Sequence, residues 1–418
     1  MASPVLSAAA KNALNQILSD AVARKSAPAM FLGVTTVDGP IYVQTAGTTL
    51  VDDPTSPPID EDTVFALFSQ TKLVTTIAAL QLVEQGKISL DTLVETVLPE
   101  LANPVVATAQ DETGRATTTV PAKNKITLRQ LLNHTSGLDY RINGALPVDI
   151  VPPEYKHNYT DDEDSSKFFK LLQGSHSGVP LRFEPGTNFA YGFSTDCAGF
   201  VVERISGKSL EQYFQDHIFG PLGMTSTSFC LTPSLQKRLL PLSHRTAGAE
   251  SVERWNRPPV FDRDPAKVRV PFGGLGLYGS QKDYLKLLTH LLQIKAGSAN
   301  APILSRASVE SMLTPSLEST AAATFNGVVG FVHPYLGLPP AAAQFGHRLL
   351  VNTADVPGKR RSGSGCWSGM AMTSYWVDPA TGVAVVFATQ LLPALDDTHE
   401  CLYDLVEREV YAGLDTTL

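Results

Sequence analysis

The sequence predicts an α/β (α+β) fold, in which an antiparallel sheet is flanked by helices from both termini and carries a large, mainly helical insertion. Three observations indicate this fold: helical spacing near each end, a hairpin pattern near each end, and helix signals between them. A chain of 418 residues exceeds the usual size of one hydrophobic core. We therefore expect a sheet domain from residues 1–68 and 260–418, a mainly helical domain from 69–259, and an active site between them.

The terminal elements follow from residue spacing. Near the N-terminus, apolar residues recur at i, i+3, i+4, i+7 and i+8, which is typical of an amphipathic helix: Leu14, Ile17, Leu18, Ala21 and Val22. Residues 30–47 hold two β-rich runs around Asp38-Gly39-Pro40, and residues 371–389 hold two more around a turn at 378–382. Both patterns predict hairpins. Residues 402–410 again have helical spacing.

Composition and charge argue against several classes of protein. The chain is 43% hydrophobic and 18% charged, as in ordinary globular proteins. A net charge of −8 disfavours a nucleic-acid partner, which needs clustered cations. The run Lys359-Arg360-Arg361 is expected to be a solvated loop. No segment approaches the roughly 20 apolar residues of a membrane span, so no membrane partner is expected.

Cysteine and histidine usage predicts neither a metal site nor a cofactor. The four cysteines are far apart and show no CxxC spacing: Cys197, Cys230, Cys366 and Cys401. The histidines show no metal-binding spacing. The N-terminus lacks the pattern of a signal peptide, and unpaired thiols fit a reducing compartment. We therefore expect a cytoplasmic protein.

Residues 65–90 place a serine and a lysine at the head of an apolar helix that ends near Gly86. The apolar face of this helix is formed by Leu73, Val74, Ile77, Leu80 and Val83. Ser69 and Lys72 are three residues apart and share a helical face, so their hydroxyl and amine can meet. Helix capping by Ser69 and a surface-facing Lys72 explain the same stretch. Both interpretations stay open at this point.

Three further stretches carry polar groups at the ends of predicted elements. His134-Thr135-Ser136-Gly137 follows an apolar helix at 128–133. Glu184-Pro185-Gly186 precedes Tyr191, which stands just before a helix that Gly207 ends. Trp367-Ser368-Gly369 lies on a late strand. Taken alone, such a tyrosine is more often a core or capping residue than a catalyst.

Together, in this order, the stretches that begin with Ser69-Gln70-Thr71-Lys72 resemble the serine β-lactamase and penicillin-binding-protein superfamily. Within it, the chain most resembles the class C β-lactamase-related esterases and transesterases, which include family VIII esterases and fungal polyketide acyltransferases. The resemblance covers nearly the whole chain. It implies a β-lactamase/transpeptidase-like fold.

The resemblance also implies roles for individual residues. Ser69 is expected to be the nucleophile, with Tyr191 and Lys72 sharing the role of the base. The backbone amides of Ser69 and Met370 are expected to form the oxyanion hole. The side chains and backbone expected to contact substrate are those of Phe68, Phe193, Trp367, Ser368 and Gly369.

Departures from the β-lactamase pattern indicate the class of substrate. β-Lactamases of this type carry Lys-Thr-Gly on the late strand and an Asn two residues after the tyrosine, where this chain has Trp367 and Phe193. We therefore expect a neutral, apolar acyl or alcohol part. The expected function is a serine hydrolase that acts on carboxylic esters through a Ser69 acyl-enzyme. The alternative is an acyltransferase or transesterase that passes the acyl group to an alcohol or amine of a secondary metabolite; a β-lactamase and a catalytically silent binding protein are further alternatives.

The resemblance implies a small-molecule ester or thioester as partner, with an acyl-carrier protein as a further acyl donor and no cofactor.

Two motifs suggest other functions. Residues 274–279, GLGLYG, match the dinucleotide fingerprint, but a turn that leads into a helix capped by Ser280 explains them better. Residues 192–196, GFSTD, nearly form a nucleophile elbow around Ser194, which would need a histidine such as His134, His347 or His399. The resemblance assigns His134 a structural role.

Overall fold

The computed structural model of the protein describes residues 3–144, 151–257, 260 and 264–415. The strands are β1 (Val5–Leu6), β2 (Met30–Thr36), β3 (Gly39–Ala46), β4 (Val64–Ala66), β5 (Val105–Gln110), β6 (Ala116–Pro121), β7 (Pro180–Leu181), β8 (Thr227–Ser228), β9 (Ser243–His244), β10 (Glu253–Arg254), β11 (Tyr278–Ser280), β12 (Ala343–Phe345), β13 (Leu350–Asn352), β14 (Gly365–Gly369), β15 (Thr373–Asp378), β16 (Val383–Ala388), β17 (Leu391–Leu392) and β18 (Leu414–Asp415).

The helices are α1 (Ala8–Ala23), α2 (Thr71–Glu84), α3 (Leu128–Leu132), α4 (Ser165–Gln173), α5 (Ser194–Ser206), α6 (Leu210–Phe214), α7 (Gly220–Leu222), α8 (Pro233–Lys237), α9 (Gln281–Ala296), α10 (Arg306–Met312), α11 (Ser319–Val332) and α12 (Asp397–Gly413). A short 3₁₀ turn, Phe68–Gln70, precedes α2 directly. None of the described helices is both long and apolar enough to cross a bilayer.

The central sheet is antiparallel and has seven strands in the order β12-β13-β14-β15-β16-β2-β3. Strand β16 pairs with β2, so the two ends of the chain meet in the middle of the sheet. Both predicted hairpins are confirmed, as β2–β3 and β15–β16. The sheet draws no strand from the described part of residues 69–259. On that basis we propose that the domain boundaries lie near 68/69 and 259/260.

Helices cover both faces of the sheet. Because side chains alternate along a strand, Leu32 of β2 faces the layer of α1 and α12, whereas Phe31 faces the layer of α9. Strand β16 is buried along its whole length, as expected between two layers. At Gly33 a methyl group would lie 2.8 Å from Leu285, so this glycine lets α9 approach β2 closely. The predicted terminal helices are confirmed as α1 and α12.

The region that the sequence predicts to be mainly helical, residues 69–259, also contains strands. It contains helices α2 to α8, but also a small sheet in the order β6-β5-β7, which the sequence analysis did not predict. Strands β5 and β6 are largely exposed and carry threonine and alanine on their outer faces, so the apolar alternation of a half-buried strand is missing. The unrecognised signal was the turn at residues 111–114 between two runs rich in β-branched residues.

The basic run at 359–361 is not the solvated loop that the sequence predicts. Lys359 and Arg360 are buried rather than solvated, and both pair with the fully buried Glu407 of α12. Arg360 binds it through two nitrogens, at 2.7 and 2.9 Å. Arg361 alone is exposed. Sequence could not reveal the acidic partner, because it lies 47 residues away from Arg360 on another element.

We expect Glu407→Gln to lower the free energy of unfolding by about 3–5 kcal/mol, because it leaves the buried Arg360 without its carboxylate partner, whereas Lys359 keeps Asp404 at 2.5 Å. Arg361→Gln is the matched control, since an exposed side chain contributes less than about 0.5 kcal/mol. Urea denaturation of both variants measures the difference. Small, equal effects would show that the run is solvated after all.

Candidate functional site

Helix α2 passes through the interior of the protein. All twelve residues from Thr71 to Leu82 are buried, which marks a core helix rather than a surface one. The turn before it contains Phe68 with φ of 45°, a left-handed conformation that is rare for a bulky residue. The N-terminal end of α2, with Ser69 in the preceding turn, is thus embedded in the protein. Ser69 does not cap α2, whose cap position is Gln70 without a side-chain bond.

The amine of Lys72 points to Ser69 and not to solvent. Lys72 has no exposed surface, and its Nζ donates to Ser69 Oγ at 3.0 Å and to the carbonyl oxygen of Gly274 at 2.5 Å. The interpretation of a surface-facing lysine is therefore wrong. Burial lowers the pKa of Lys72 and outweighs the opposing effect of Tyr191. A lysine with a lowered pKa can take part in proton transfer near neutral pH.

Tyr191 reaches the same point because two motif segments bind each other. The amide of Gly186 donates to the Thr135 carbonyl at 2.8 Å, and the amide of Ala190 donates to the His134 carbonyl at 3.0 Å. These bonds fix the loop that ends at Tyr191, directly before α5. As a result, Lys72 Nζ lies 4.8 Å from the centroid of the Tyr191 ring.

The phenol of Tyr191 lies among cations and hydrogen-bond donors. Burial alone would raise its pKa, but the charges of Lys72 and Arg348, together with hydrogen bonding to Ser69 and Lys72, lower the pKa to about 8. Trp367 Nε1 also donates to the phenol oxygen, at 3.1 Å. These charges and hydrogen bonds favour the phenolate, so about a tenth of Tyr191 is ionised at pH 7 and can act as a base.

The two backbone amides expected to form the oxyanion hole lie on segments that are in contact. Ser69 is in the first turn before a helix, where N–H groups have no partner within the helix. Met370 follows the last residue of β14, in a turn closed by the Met372 amide and the Gly369 carbonyl at 3.0 Å. A side chain at Gly369 would collide with the Leu67 carbonyl. Glycine at this position therefore lets β14 lie against the serine turn.

Strand β14 presents a free edge beside Ser69. Strand β13 pairs only with Gly365 and Cys366, so residues 367–369 extend beyond its cover. Trp367 and Ser368 are half-buried. The indole of Trp367 lies against the Tyr191 ring, with centroids 5.1 Å apart. This edge is therefore where a substrate could reach both Ser69 and the expected oxyanion hole.

Two of the expected substrate contacts, Phe193 and Phe68, are buried in the core. Phe193 has no exposed surface and packs edge-on against Tyr140, at 4.8 Å between centroids, and against Phe168 of α4. Phe68 is only 2% exposed and belongs to the same core. Side chains this deeply buried support the walls of the site rather than line its surface. Sequence could not distinguish these cases, because proximity to a motif does not reveal the direction of a side chain.

The rival nucleophile finds no support in the geometry. Ser194 is buried and its Oγ lies 2.8 Å from Ser136 Oγ, a bond between two hydroxyls without a histidine base. Burial lowers the pKa of His134 well below its usual value, which fits a neutral, structural residue. In the motif at 274–279, Ser280 caps α9 by accepting from the Asp283 amide, as the sequence predicts.

Sequence reasoning missed two charged residues near the lysine and tyrosine. Arg348, in the turn before β13, is fully buried, and its Nη2 donates to the carbonyl oxygen of Ser69 at 3.3 Å. Asp196 of α5 is also fully buried and accepts from the Gly274 amide at 2.8 Å. Asp196 belongs to the motif at 192–196 and Gly274 to the motif at 274–279, which suggested other functions. The unusual composition of these two motifs was the sequence signal that could have pointed to the site. Nothing around Arg348 in the sequence indicates its position.

Among the described residues, no cluster of three or more His, Cys, Asp or Glu could hold a metal ion.

The chain is similar in sequence to known proteins. The sequence profile of the family described as Beta-lactamase matches residues 14–407. Monacolin J acid methylbutanoyltransferase of Aspergillus terreus is 32% identical over 365 residues, 85% of this chain and 84% of that protein. Lovastatin esterase of Penicillium rubens is 30% identical over 357 residues, 84% of this chain and 85% of that protein.

A solved structure is similar over almost the full length. The unliganded simvastatin synthase from Aspergillus terreus superposes with a TM-score of 0.81 at 28% identity, and the match covers 97% of this chain and 99% of that one. The expected β-lactamase/transpeptidase-like fold is thereby confirmed. Fold, ordered motifs and sequence similarity agree, and the chain belongs to the β-lactamase family.

Proposed function

We propose that the protein is a serine ester hydrolase that cleaves carboxylic esters through an acyl-enzyme on Ser69. The observation that carries the proposal is the convergence of three groups: Ser69 Oγ, the buried Lys72 Nζ at 3.0 Å from it, and the Tyr191 ring at 4.8 Å from that amine. A serine hydroxyl is a poor nucleophile until a base takes its proton, and this arrangement supplies the base without a histidine.

The proposed reaction proceeds in two halves. In the first, the Tyr191 phenolate takes the proton of Ser69, and Oγ attacks the ester carbonyl carbon. The amides of Ser69 and Met370 stabilise the negative charge that develops on the carbonyl oxygen. When the tetrahedral intermediate collapses, the alcohol leaves with the proton from Tyr191. In the second half, water attacks the acyl-enzyme by the same proton transfers and releases the acid.

The residues around the edge of β14 support a neutral, apolar substrate. Trp367 offers an indole face where a cation would be needed to bind a carboxylate, and its N–H is already used by Tyr191. Arg348, a cation next to this edge, is buried beneath the indole, with 4.6 Å between the guanidinium carbon and the ring centroid. We therefore propose esters of natural-product-like alcohols or acids.

A second candidate is transfer of the acyl group to an alcohol or amine of a secondary metabolite. The observation that favours it is the similarity, at 32% identity, to a protein named as a methylbutanoyltransferase. The similar lovastatin esterase supports hydrolysis. Both reactions use the same acyl-enzyme and differ only in whether water or an alcohol attacks it.

One experiment tests the proposed function and separates the two acceptors. The purified protein is incubated with a p-nitrophenyl ester or an acyl thioester, with and without a panel of hydrophobic alcohols. We expect p-nitrophenol release, free acid as product, and an acyl adduct on Ser69 in mass spectrometry. An acyl product that exceeds free acid when alcohol is present would replace hydrolysis by transfer. The absence of any adduct with all donors would reject both.

We also propose the acyl donor and the cellular compartment. A small-molecule ester or thioester is the proposed donor, and a thioester carried on an acyl-carrier protein can be tested in the same assay. Cys197, Cys366 and Cys401 are free thiols, which supports a reducing compartment such as the cytoplasm.

The rate of acylation should rise with pH across the titration of Tyr191. Only the phenolate accepts the Ser69 proton, and the pKa of Tyr191 is about 8, so the deprotonated fraction grows as pH increases through that value. We expect the single-turnover acylation rate to increase about tenfold from pH 6 to pH 7. Stopped-flow release of p-nitrophenol measures this. A rate independent of pH in that interval would contradict Tyr191 as the base.

A further inference from the structure

The pair formed by Lys72 and Tyr191 lies between two buried side chains of opposite charge. Arg348 lies on the tyrosine side, with its guanidinium carbon 5.9 Å from the centroid of the Tyr191 ring. Asp196 lies on the lysine side, joined to Lys72 through Gly274: the carboxylate accepts from the Gly274 amide, and the carbonyl of the same residue accepts from Lys72. Asp196 and Gly274, one from each of the two motifs that suggested other functions, therefore lie next to the Lys72 amine.

Arg348 is an unusual residue for a protein interior. Within the part of the chain that the structure describes, no Asp or Glu forms an ion pair with its guanidinium, and Nε and Nη1 have no hydrogen-bond partner. A buried cation without a carboxylate is strongly unfavourable unless other groups compensate it. The groups at hand are the Ser69 carbonyl and the faces of Trp367 and Tyr191. A phenolate at Tyr191 would supply the missing negative charge.

Asp196 has the surroundings of an ionised carboxylate. One oxygen accepts from the Gly274 amide at 2.8 Å, and the other accepts from the Tyr155 hydroxyl at 2.6 Å. Burial is the largest influence and raises the pKa of Asp196 overall, although Lys72 and these two donors oppose the rise and favour the ionised form. Gly274 cannot carry a side chain, because a methyl group would lie 2.8 Å from the Asp196 carboxyl carbon. The glycine therefore lets the carboxylate and the lysine share one peptide unit.

The remaining titratable groups around the pair are neutral. Burial lowers the pKa of His134 well below its usual value, so this imidazole carries no proton charge. Burial also raises the pKa of Tyr140 and Tyr155 well above the usual value, and that of Tyr375 to about 12. Of the described residues that face the pair from α2, α5, β15 and the adjoining loops, Arg348 and Asp196 alone carry charges outside the pair itself.

We propose that Arg348 and Asp196 are positioning residues: once the pair of Lys72 and Tyr191 has lost one proton, they hold the remaining proton on the lysine, so that the reactive form of the site contains an ammonium and a phenolate. This inference rests on the proposed function, because it concerns the base of that reaction. Both side chains are fully buried, so they act through the pair and not on the substrate directly. The positive charge of Arg348 repels the proton from Tyr191, and the negative charge of Asp196 attracts it to Lys72. The charges of the two flanking residues cancel each other. The net charge of all four groups is therefore zero in two states: a protonated lysine with an ionised tyrosine, or a neutral lysine with a neutral tyrosine.

Two substitutions test the proposal because they act in opposite directions. Arg348→Met removes a positive charge and should displace the midpoint of the acylation pH profile upward by about one unit, whereas Asp196→Asn removes a negative charge and should displace it downward by a similar amount. In the double variant the displacements should largely cancel, and Arg348→Lys should keep the wild-type midpoint. The same pH profiles with a fluorophosphonate probe provide a second measure of Ser69 reactivity.

A merely structural role would lower the rate at every pH without moving the midpoint. Midpoints that stay in place, or that move in the same direction in both single variants, would overturn the proposal. Circular dichroism establishes that each variant is folded. If Asp196→Asn does not fold, the comparison of Arg348→Met with Arg348→Lys decides: a displacement only in the methionine variant supports the proposal, and any other pattern rejects it.

A spectroscopic titration separates this proposal from the proposed function. Tyrosinate formation is followed by near-ultraviolet absorbance in wild type and in Tyr191→Phe, and the difference isolates Tyr191. The midpoint of that difference should move upward in Arg348→Met and downward in Asp196→Asn, whether or not the protein turns over an ester. A protein without acylation but with these shifts would refute the function and keep the inference. Acylation that occurs without these shifts would refute the inference and keep the proposed function.

Discussion

Replacing Ser69 by alanine is expected to reduce acylation by about 10⁴-fold or more, since it removes the hydroxyl that we propose as the nucleophile. Labelling with a fluorophosphonate probe should disappear completely in Ser69→Ala. The fold should persist, because Ser69 is half-buried and its side chain does not cap α2. Labelling followed by intact-mass measurement gives the result directly.

Ser194→Ala is the matched control for that experiment. Ser194 belongs to the motif that mimics a nucleophile elbow, and its hydroxyl bonds only to Ser136. Losing this bond should change stability by about 1 kcal/mol and leave labelling intact. Labelling that survives in Ser69→Ala but is lost in Ser194→Ala would transfer the role of nucleophile and remove the basis of the proposed function.

Tyr191→Phe is expected to lower the acylation rate by about 10²- to 10⁴-fold, which is typical for the loss of a general base. The substitution removes one oxygen. It keeps the ring that packs on Trp367 and on His134, with centroids 5.1 and 4.8 Å away. Unfolding by urea should therefore change little while the single-turnover rate falls. Acylation close to the wild-type rate would show that another group takes the serine proton.

Tyr140→Phe provides the comparison, because Tyr140 is the other tyrosine near the lysine. Its ring centroid is 5.6 Å from Lys72 Nζ, but its hydroxyl is bonded to Tyr155 rather than to Ser69. Losing one such hydrogen bond should reduce the rate by less than about tenfold. A larger loss in Tyr140→Phe than in Tyr191→Phe would reassign the base to Tyr140.

Much of the fold could be predicted because its signals are local. The periodicity of α1 and α12 and the turn residues of both hairpins depend only on nearby residues, and the structure confirms them. The β5–β6 hairpin escaped prediction because its strands are mostly exposed and lack apolar alternation. The buried run Lys359-Arg360 escaped because the carboxylate that neutralises it belongs to α12.

Sequence alone determined which residues are available for chemistry: a serine and a lysine one helical turn apart, a tyrosine before a helix, and a small-residue segment on a late strand. Only the tertiary structure decided that Lys72 turns inward, that Phe68 and Phe193 face the core, and that Arg348 and Asp196 lie on either side of the lysine and tyrosine. The physical reason is that the charge state of a buried group depends on the field of all neighbouring charges. Those neighbours come from elements far apart in the chain, so no local pattern specifies them.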